Sequence, residues 1–431
     1  MYTALSPALQ DDERAQKAQQ LLSSCVHCGF CNATCPTYQL LGNELDGPRG
    51  RLYLIKQVLE GAEATRETQQ HLDRCLTCRN CETTCPSGVN YVRILDVGRE
   101  IVDERVERPR GERLRRWMLR EGLGSPLLST AVKAGQTLRP LMPASLQKNI
   151  PTRDQAPPRS EKLGKAHRWP IREHARKVLL LLGCVQPSLR PNINSATARV
   201  LDAVGIQSLV GDGVGCCGAV RLHLGDSEKG LKQVRQNVDA WWPHIQSGEI
   251  ERIVMNVSGC GLTVKQYGEL LADEPYYAKR AAAISAMTVD VSELLPSLVP
   301  DLALRLRDSD SASRPTLVWH APCTLQHGQG VTSAVQTSLR ELGFVVRQDD
   351  LGGHLCCGSA GTYSVLQPEL SQQLRDARLR DLHALAADGP PPSAGHVLIS
   401  ANIGCISHLQ SGTQWPVKHW VEVLDDHLVS G

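Results

Sequence analysis

The sequence predicts an α+β chain: a helical N-terminal domain wrapped around two cysteine-dense loops, followed by two copies of a small α/β module. Three observations lead there. The motif C-x2-C-x2-C-x3-C-P occurs twice near the start, as Cys25-Val26-His27-Cys28-Gly29-Phe30-Cys31-Asn32-Ala33-Thr34-Cys35-Pro36 and as Cys75-Leu76-Thr77-Cys78-Arg79-Asn80-Cys81-Glu82-Thr83-Thr84-Cys85-Pro86. Further on, Cys184, the pair Cys216 and Cys217, and Cys260 are answered by Cys323, Cys356 and Cys357, and Cys405, at offsets of 139, 140 and 145 residues. Between those cysteines, short apolar runs of strand type alternate with helical stretches, which is the pattern of α/β units with parallel strands.

Composition narrows the class. A chain of 431 residues with 41% apolar side chains can bury several ordinary cores. Lysine and arginine (47) nearly balance aspartate and glutamate (45), so there is no global field of the kind a nucleic-acid binder carries, and no nucleic-acid partner is expected. The longest apolar run, around Val178–Leu182, is far short of the ~20 residues that span a bilayer. The first twenty residues mix charges with no apolar stretch of signal-peptide type. A cytoplasmic protein is expected, with any membrane contact peripheral. In that compartment sixteen cysteines, all falling into ordered groups, point to metal or redox chemistry and not to a disulfide framework.

The N-terminal domain is assigned to residues 1–104. Asp11–Leu22 reads as a polar helical lead-in, and Leu52, Ile55, Val58 and Leu59 recur at helical spacing between the two motifs. In a motif of this spacing three thiolates on one tight loop enclose a cluster, and the fourth, carried off by the chain, reaches the other cluster. Cys25, Cys28, Cys31 and Cys85 are therefore expected to hold one [4Fe-4S] cluster, and Cys75, Cys78, Cys81 and Cys35 the second, as in bacterial ferredoxins. Zinc modules draw on C-x2-C pairs from separate loops, so four cysteines within eleven residues, twice over, fit zinc poorly. His27 is a neighbour that tunes the site, since the ligand set is complete without it. The turn Gly47-Pro48-Arg49-Gly50-Arg51 either sets two guanidinium groups near cluster sulfurs or a partner's carboxylates, or is a solvated turn before a helix.

Residues 105–175 read as a basic helix and a Pro-rich linker. Seven arginines against Glu107 and Glu112 give Arg105–Arg120 a net charge of +5, with Trp117, Met118 and Leu119 interleaved. The stretch docks on an acidic surface or is a solvated helix face. From Arg139 to Pro170 six prolines, with Lys148, Arg153, Arg159, Lys162, Lys165 and Arg168, break any regular period. The first repeated module is placed at 176–300 and the second at 315–431. Strand-type runs precede the cysteines (Lys177–Leu182, Ile253–Val257, Thr316–Trp319, Val397–Ser400), and helical stretches lie between them (Ala196–Val204, Leu231–Trp241, Ser333–Leu342, Leu370–Leu385). Loops after parallel strands gather at one sheet edge, so Cys184, Cys216, Cys217 and Cys260 should meet in one site and Cys323, Cys356, Cys357 and Cys405 in another. These sites bind a further iron-sulfur centre, bind another metal, or hold reduced thiols in a docking surface.

The repeated arrangement resembles the cysteine-rich CCG domain of heterodisulfide reductases and of iron-sulfur subunits of flavin dehydrogenases. The heterodisulfide reductase pattern ends in C-x-x-C. Here the second cysteine is missing: if Cys260 and Cys405 open the pair, Thr263 and His408 stand in its place, and if they close it, Val257 and Asn402 do. That weighs against a disulfide-cleaving enzyme, the alternative reading. The order of the whole chain, with Cys25 to Tyr38 and the Asp46-Gly47-Pro48-Arg49-Gly50-Arg51 turn, resembles the iron-sulfur subunits of glycolate oxidase, whose relatives serve lactate and glycerol-3-phosphate oxidation. The resemblance implies an electron-transfer subunit, not catalytic alone, that works with FAD-containing glycolate oxidase subunits and delivers electrons to a membrane quinone or another acceptor. FAD is expected only in those partners, since no G-x-G-x-x-G here follows a strand and opens a helix.

Overall fold

A computed structural model describes residues 1–125, 128–141, 169–170, 172–306, 314–350, 352–387 and 395–429. The N-terminal domain is helical. Asp12 caps the helix Glu13–Ser23 by accepting from the backbone N–H groups of Arg14 and Ala15, and Thr65 caps Arg66–Asp73 through Thr68 N–H. Pro48 opens the helix Pro48–Leu59, where a missing N–H costs nothing. The inward face of that helix, Leu52, Ile55, Val58 and Leu59, packs with Leu22, Leu72, Ile94, Leu95 and Ile101 of the neighbouring helices into one core. The helical spacing read from the sequence is thus the buried face. Gly98, on the helix Tyr91–Arg105, allows that helix to lie against Ile55: a Cβ there would meet Ile55 side-chain atoms at 2.6 and 2.7 Å.

Two of the seven arginines of the basic stretch, Arg108 and Arg116, turn inward. Arg108 bonds Asp73 and Asp103 and also pairs with Glu112, while Arg116 meets Asp73 at 2.8 Å. Arg110–Gly122 is helical, and its outer side carries Leu114, Trp117 and Met118 with Arg110, Arg113 and Arg115. A helix that the sequence reading passed over, Leu128–Leu138, follows. Lys148, Arg153, Arg159, Lys162, Lys165 and Arg168 lie outside the described residues.

Each module is a four-stranded parallel sheet. The first contains β1 (Arg176–Leu180), β2 (Ile206–Leu209), β3 (Arg252–Met255) and β4 (Thr288–Asp290) in the order β2-β1-β3-β4. The second contains β5 (Thr316–Trp319), β6 (Val346–Gln348), β7 (His396–Ser400) and β8 (Val417–His419) in the matching order β6-β5-β7-β8. β2, β4, β6 and β8 were not read from the sequence: each is only three or four residues long, and β4 and β8 are followed at once by a helix. Asp290 and His419 occupy equivalent corners, and each closes a capping box, with Glu293 and Glu422 respectively. The modules face each other: the helix Asn192–Ala203 packs on Trp420–His427, and Val291–Ala303 packs on Ala334–Glu341, a reciprocal pairing about a pseudo-twofold axis. One core, from Val178 and Leu180 to Trp319, Ile399 and Trp420, runs through the junction.

Candidate metal centres

The two N-terminal loops share a backbone device. His27 and Gly29 in the first, and Thr77 and Arg79 at the equivalent places in the second, all adopt positive φ, from 51° to 87°. Non-glycine residues in that region are strained, and strain of this kind persists where the surroundings demand it. The left-handed turns bend each loop around a small hollow. The first hollow is lined by Cys25, Cys28, Cys31 and Cys85, with Arg49, Leu52 and Tyr91. The second is lined by Cys35, Cys75, Cys78 and Cys81, with Arg51, Thr37 and Tyr91. Cys81 also reaches the wall of the first. The chain thus gathers the sulfurs in crossed sets, each loop's last cysteine leaving for the other hollow.

The chemistry of the donor sets can be tested on their surroundings. Burial, with Cys25, Cys85 and Cys28 beside it, pushes the Cys31 thiol up to about 11. Burial also drives Cys78 and Cys81 well up, with Cys35 and Cys75 among the groups crowding both. Thiols packed this closely out of water cannot all ionise unless cations lie among them. Soft all-sulfur sets select iron-sulfur clusters or zinc, and the donors present fit a four-iron cluster in each hollow. Two groups would donate to sulfur in the second: Tyr91 Oη lies 3.7 Å from Cys75 Sγ and Thr77 N–H 3.4 Å from the same atom, while the Thr37 hydroxyl, 3.3 Å from Cys35 Sγ, gives its hydrogen to the Asp46 carbonyl at 2.8 Å. Arg51 is fully buried beside this hollow and holds the Thr37 hydroxyl at 3.2 Å and the His71 carbonyl at 2.7 Å. Arg49 instead pairs with Glu44 at 2.6 Å on the rim of the first hollow. Of the two readings of the Gly47–Arg51 turn, the one beside the sulfurs matches this placement.

The two hollows differ in exposure. Around the first, Cys28 is exposed, Val26 is 69% exposed and Phe30 63%. The second is covered by the second module, where Leu76 packs with Cys323, Cys356 and Tyr363, and Cys78 lies at the edge of the same cluster. Asn80 Nδ2 donates to the His354 carbonyl at 3.1 Å, and Thr83 Oγ1 meets His327 Nδ1 at 3.0 Å.

In each module the cysteines converge at the carboxyl ends of the strands. The glycine after each cysteine pair has positive φ, 93° at Gly218 and 85° at Gly358, and there is no room for a side chain at the second: a Cβ would meet Ser371 O at 2.6 Å. That is the physical content of the C-C-G pattern. In the first module Cys184 and Cys217 donate toward Cys216, whose thiol is lowered to about 3, while Cys260 stands next to Cys217. In the second, Cys356 and Cys405 donate toward Cys357, which is held well below its usual range, and Cys323 Sγ lies 3.9 Å from Cys356 Sγ. The four expected sulfurs are therefore neighbours in both modules. Cys260 of the first module also packs at the edge of the cluster that holds Cys357 and Cys405.

The positions where a fifth cysteine would stand are occupied otherwise. Thr263 Oγ1 donates to the Gly259 carbonyl at 3.1 Å, His408 Nε2 meets Ser371 Oγ at 3.1 Å, and Asn402 caps the helix Ile403–Gln410. Val257 is buried in the core. Sequence reasoning missed one group here, His320, whose ring lies within 4.8 Å of Cys357 and Cys405. Its signal was its place three residues before Cys323.

Residues 21–89 match the 4Fe-4S dicluster domain family, and 178–265 and 317–410 each match the cysteine-rich domain family. Over 430 residues the chain is 48% identical to the glycolate oxidase iron-sulfur subunit of Escherichia coli K12, covering 99% of both proteins. The chain belongs to the family of glycolate oxidase iron-sulfur subunits. A probable member from Bacillus subtilis is 26% identical over 94% of this chain and 92% of its own length. Lactate utilization protein A of Bacillus licheniformis is 26% identical over 58% of this chain and 99% of its own length. Among the described residues no helix is long and apolar enough to cross a membrane.

Proposed function

We propose that this chain is the electron-transfer subunit of a flavin-dependent glycolate-oxidising complex, taking electrons from FAD held by partner subunits and delivering them toward a quinone or another acceptor. On this reading Cys25, Cys28, Cys31 and Cys85 hold one [4Fe-4S] cluster and Cys35, Cys75, Cys78 and Cys81 the other. The four sulfurs of each module hold a further iron-sulfur centre. When bound, such groups supply one-electron carriers, which a two-electron flavin oxidation needs downstream of it.

One observation carries the reading: each sulfur site packs against the next. The series begins at the exposed Cys28 loop, continues to Cys78 packed near Cys323, passes Cys357 and Cys405, and ends at Cys260. Val26, Phe30 and Tyr53, exposed around the first site, suit a partner's docking face. Leu114, Trp117 and Met118, flanked by exposed arginines, suit peripheral contact with an anionic membrane surface holding the acceptor.

The test compares the flavoprotein subunits with and without this chain, on glycolate and both lactate enantiomers, following reduction of a quinone analogue. Quinone reduction should require the chain and vanish when Cys25, Cys28 and Cys31 are replaced together. Unchanged reduction after that replacement would leave the chain a scaffold.

A further inference from the structure

The two modules share a backbone and four cysteines, yet one position beside the sulfurs differs in kind. Three residues before its first cysteine, the first module has Leu181, buried in an apolar cluster with Cys217. At the equivalent place, 139 residues on, the second module has His320. This histidine is 1% exposed, and its backbone is pinned on both sides, His320 N–H to the Ile399 carbonyl at 2.9 Å and its own carbonyl accepting from Ser400 Oγ at 3.0 Å. These bonds fix the point on the strand end from which the ring projects.

Arg378 decides what the ring can do. It is 2% exposed and is held by Asp349 Oδ2 at 2.5 Å and the Gly352 carbonyl at 3.1 Å, and its Nε lies 3.4 Å from His320 Nδ1. A guanidinium only donates, so Nδ1 must accept, and the hydrogen of the neutral ring sits on Nε2. Nε2 is buried and has no hydrogen-bond partner of its own. The ring lies within 4.8 Å of Cys357 Sγ and Cys405 Sγ. A buried N–H with nothing else to bond, on a ring beside these sulfurs, is free to donate to them. The same tautomer leaves Nε2 without a lone pair for a metal.

We propose that His320 is a positioning residue that donates a hydrogen bond from Nε2 to the thiolates of the second module, and that it sets the reduction potential of the centre held there above that of the first module. The inference rests on the reading that the modules hold iron-sulfur centres. Hydrogen bonds to the sulfurs stabilise the reduced, more negative state, and so raise the potential. The first module offers Leu181 at this place.

The experiment is a redox titration of the full-length chain carrying its clusters, followed by electron paramagnetic resonance, on wild type, His320→Leu and His320→Gln, with iron counted in each. His320→Leu should shift the reduction equilibrium of one module centre about tenfold toward the oxidised form, about 59 mV for a one-electron couple. The N-terminal clusters should keep their midpoints. His320→Gln keeps an N–H donor and should recover much of the shift. Pulsed resonance on the wild type labelled with 15N-histidine needs no variant and should show one weak, through-hydrogen-bond nitrogen coupling. An unchanged midpoint in His320→Leu at full iron overturns the proposal, as does a strong, directly bonded nitrogen coupling or none. A wild type with only the two N-terminal clusters overturns the module-centre reading, and the proposal with it.

Discussion

Arg51→Met should lower the midpoint potential of the second N-terminal cluster by roughly 100 mV and leave the first nearly unmoved. The guanidinium is fully buried and lines the hollow of Cys35, Cys75 and Cys78; it reaches Cys35 through one intermediary, with Nη2 at 3.2 Å from Thr37 Oγ1 and that hydroxyl 3.3 Å from the sulfur. At a charge separation of about 6 Å and an effective dielectric constant of about 20, a unit charge there is worth about 3 kcal/mol. Each factor of ten, about 1.4 kcal/mol, corresponds to about 59 mV for one electron, so the shift is on the order of 100 mV. Arg49 lies on the other hollow and is partly exposed, which gives it little leverage on this one. The substitution leaves Asp46 with Arg74 and His71, both at 3.0 Å, so the carboxylate keeps partners and the domain should fold. The assay is a titration of both clusters in wild type, Arg51→Met and Arg51→Lys. A second-cluster midpoint within about 20 mV of wild type, at full iron content, would refute the Coulombic reasoning.

Three further outcomes follow. Cys35→Ala should remove iron from the site of Cys75, Cys78 and Cys81 and spare that of Cys25, Cys28 and Cys31; loss from the nearer site would disprove the crossing. Asp73→Asn, which takes the charge facing both Arg108 and Arg116, should destabilise the chain by about 3 kcal/mol, seen as a lower denaturation midpoint with unchanged slope. Replacing Leu114, Trp117 and Met118 together by Gln should abolish sedimentation with anionic vesicles, while leaving soluble electron transfer intact.

How much was legible beforehand depended on how local the signal was. The two cluster loops and the thiol groups of the modules were readable because metal chemistry fixes spacing along the chain, and the repeat was readable because its offsets hold to within six residues. β5 was placed to the residue, since Thr316–Trp319 is bounded by Pro315 and His320. β2, β4, β6 and β8 were not, because strands of three or four residues carry no clear period of their own and are held by pairing with β1, β3, β5 and β7. The basic stretch shows a harder limit. Its charge suggested a surface, but Arg108 and Arg116 find Asp73, which lies far back in the sequence on another helix. His320 was passed over because its meaning comes from Arg378, 58 residues away, although its contrast with Leu181, three residues before the matching cysteine, was already in the sequence.

The same contrast between duplicated corners yields a pH prediction. Asp290 and His419 cap equivalent helices from equivalent strand ends, and both are completely buried, yet burial acts on them in opposite directions: it raises the Asp290 carboxyl to about 6 and lowers the His419 imidazole to about 3. Both groups therefore resist carrying charge in the folded chain. For His419 the unfolded ring takes up a proton below about 6.5 while the folded ring stays neutral until about 3. Its contribution to stability is thus complete above pH 6.5 and falls by about 1.4 kcal/mol per unit as pH drops through that window. For Asp290 the sign is reversed, because the unfolded carboxyl releases its proton near 3.8 and the folded one only near 6, so stability falls as pH rises between them. Between pH 4 and 6 the two slopes oppose each other, and stability should vary little on their account. His419→Asn keeps a capping oxygen and removes one slope, so the variant should gain stability relative to wild type on acidification from pH 6.5 to 5, by about 2 kcal/mol. Urea denaturation at the two pH values measures it. A difference between variant and wild type that does not change with pH would mean that the His419 ring is solvated in the native chain, and that the corner closing the second module is looser than its geometry indicates.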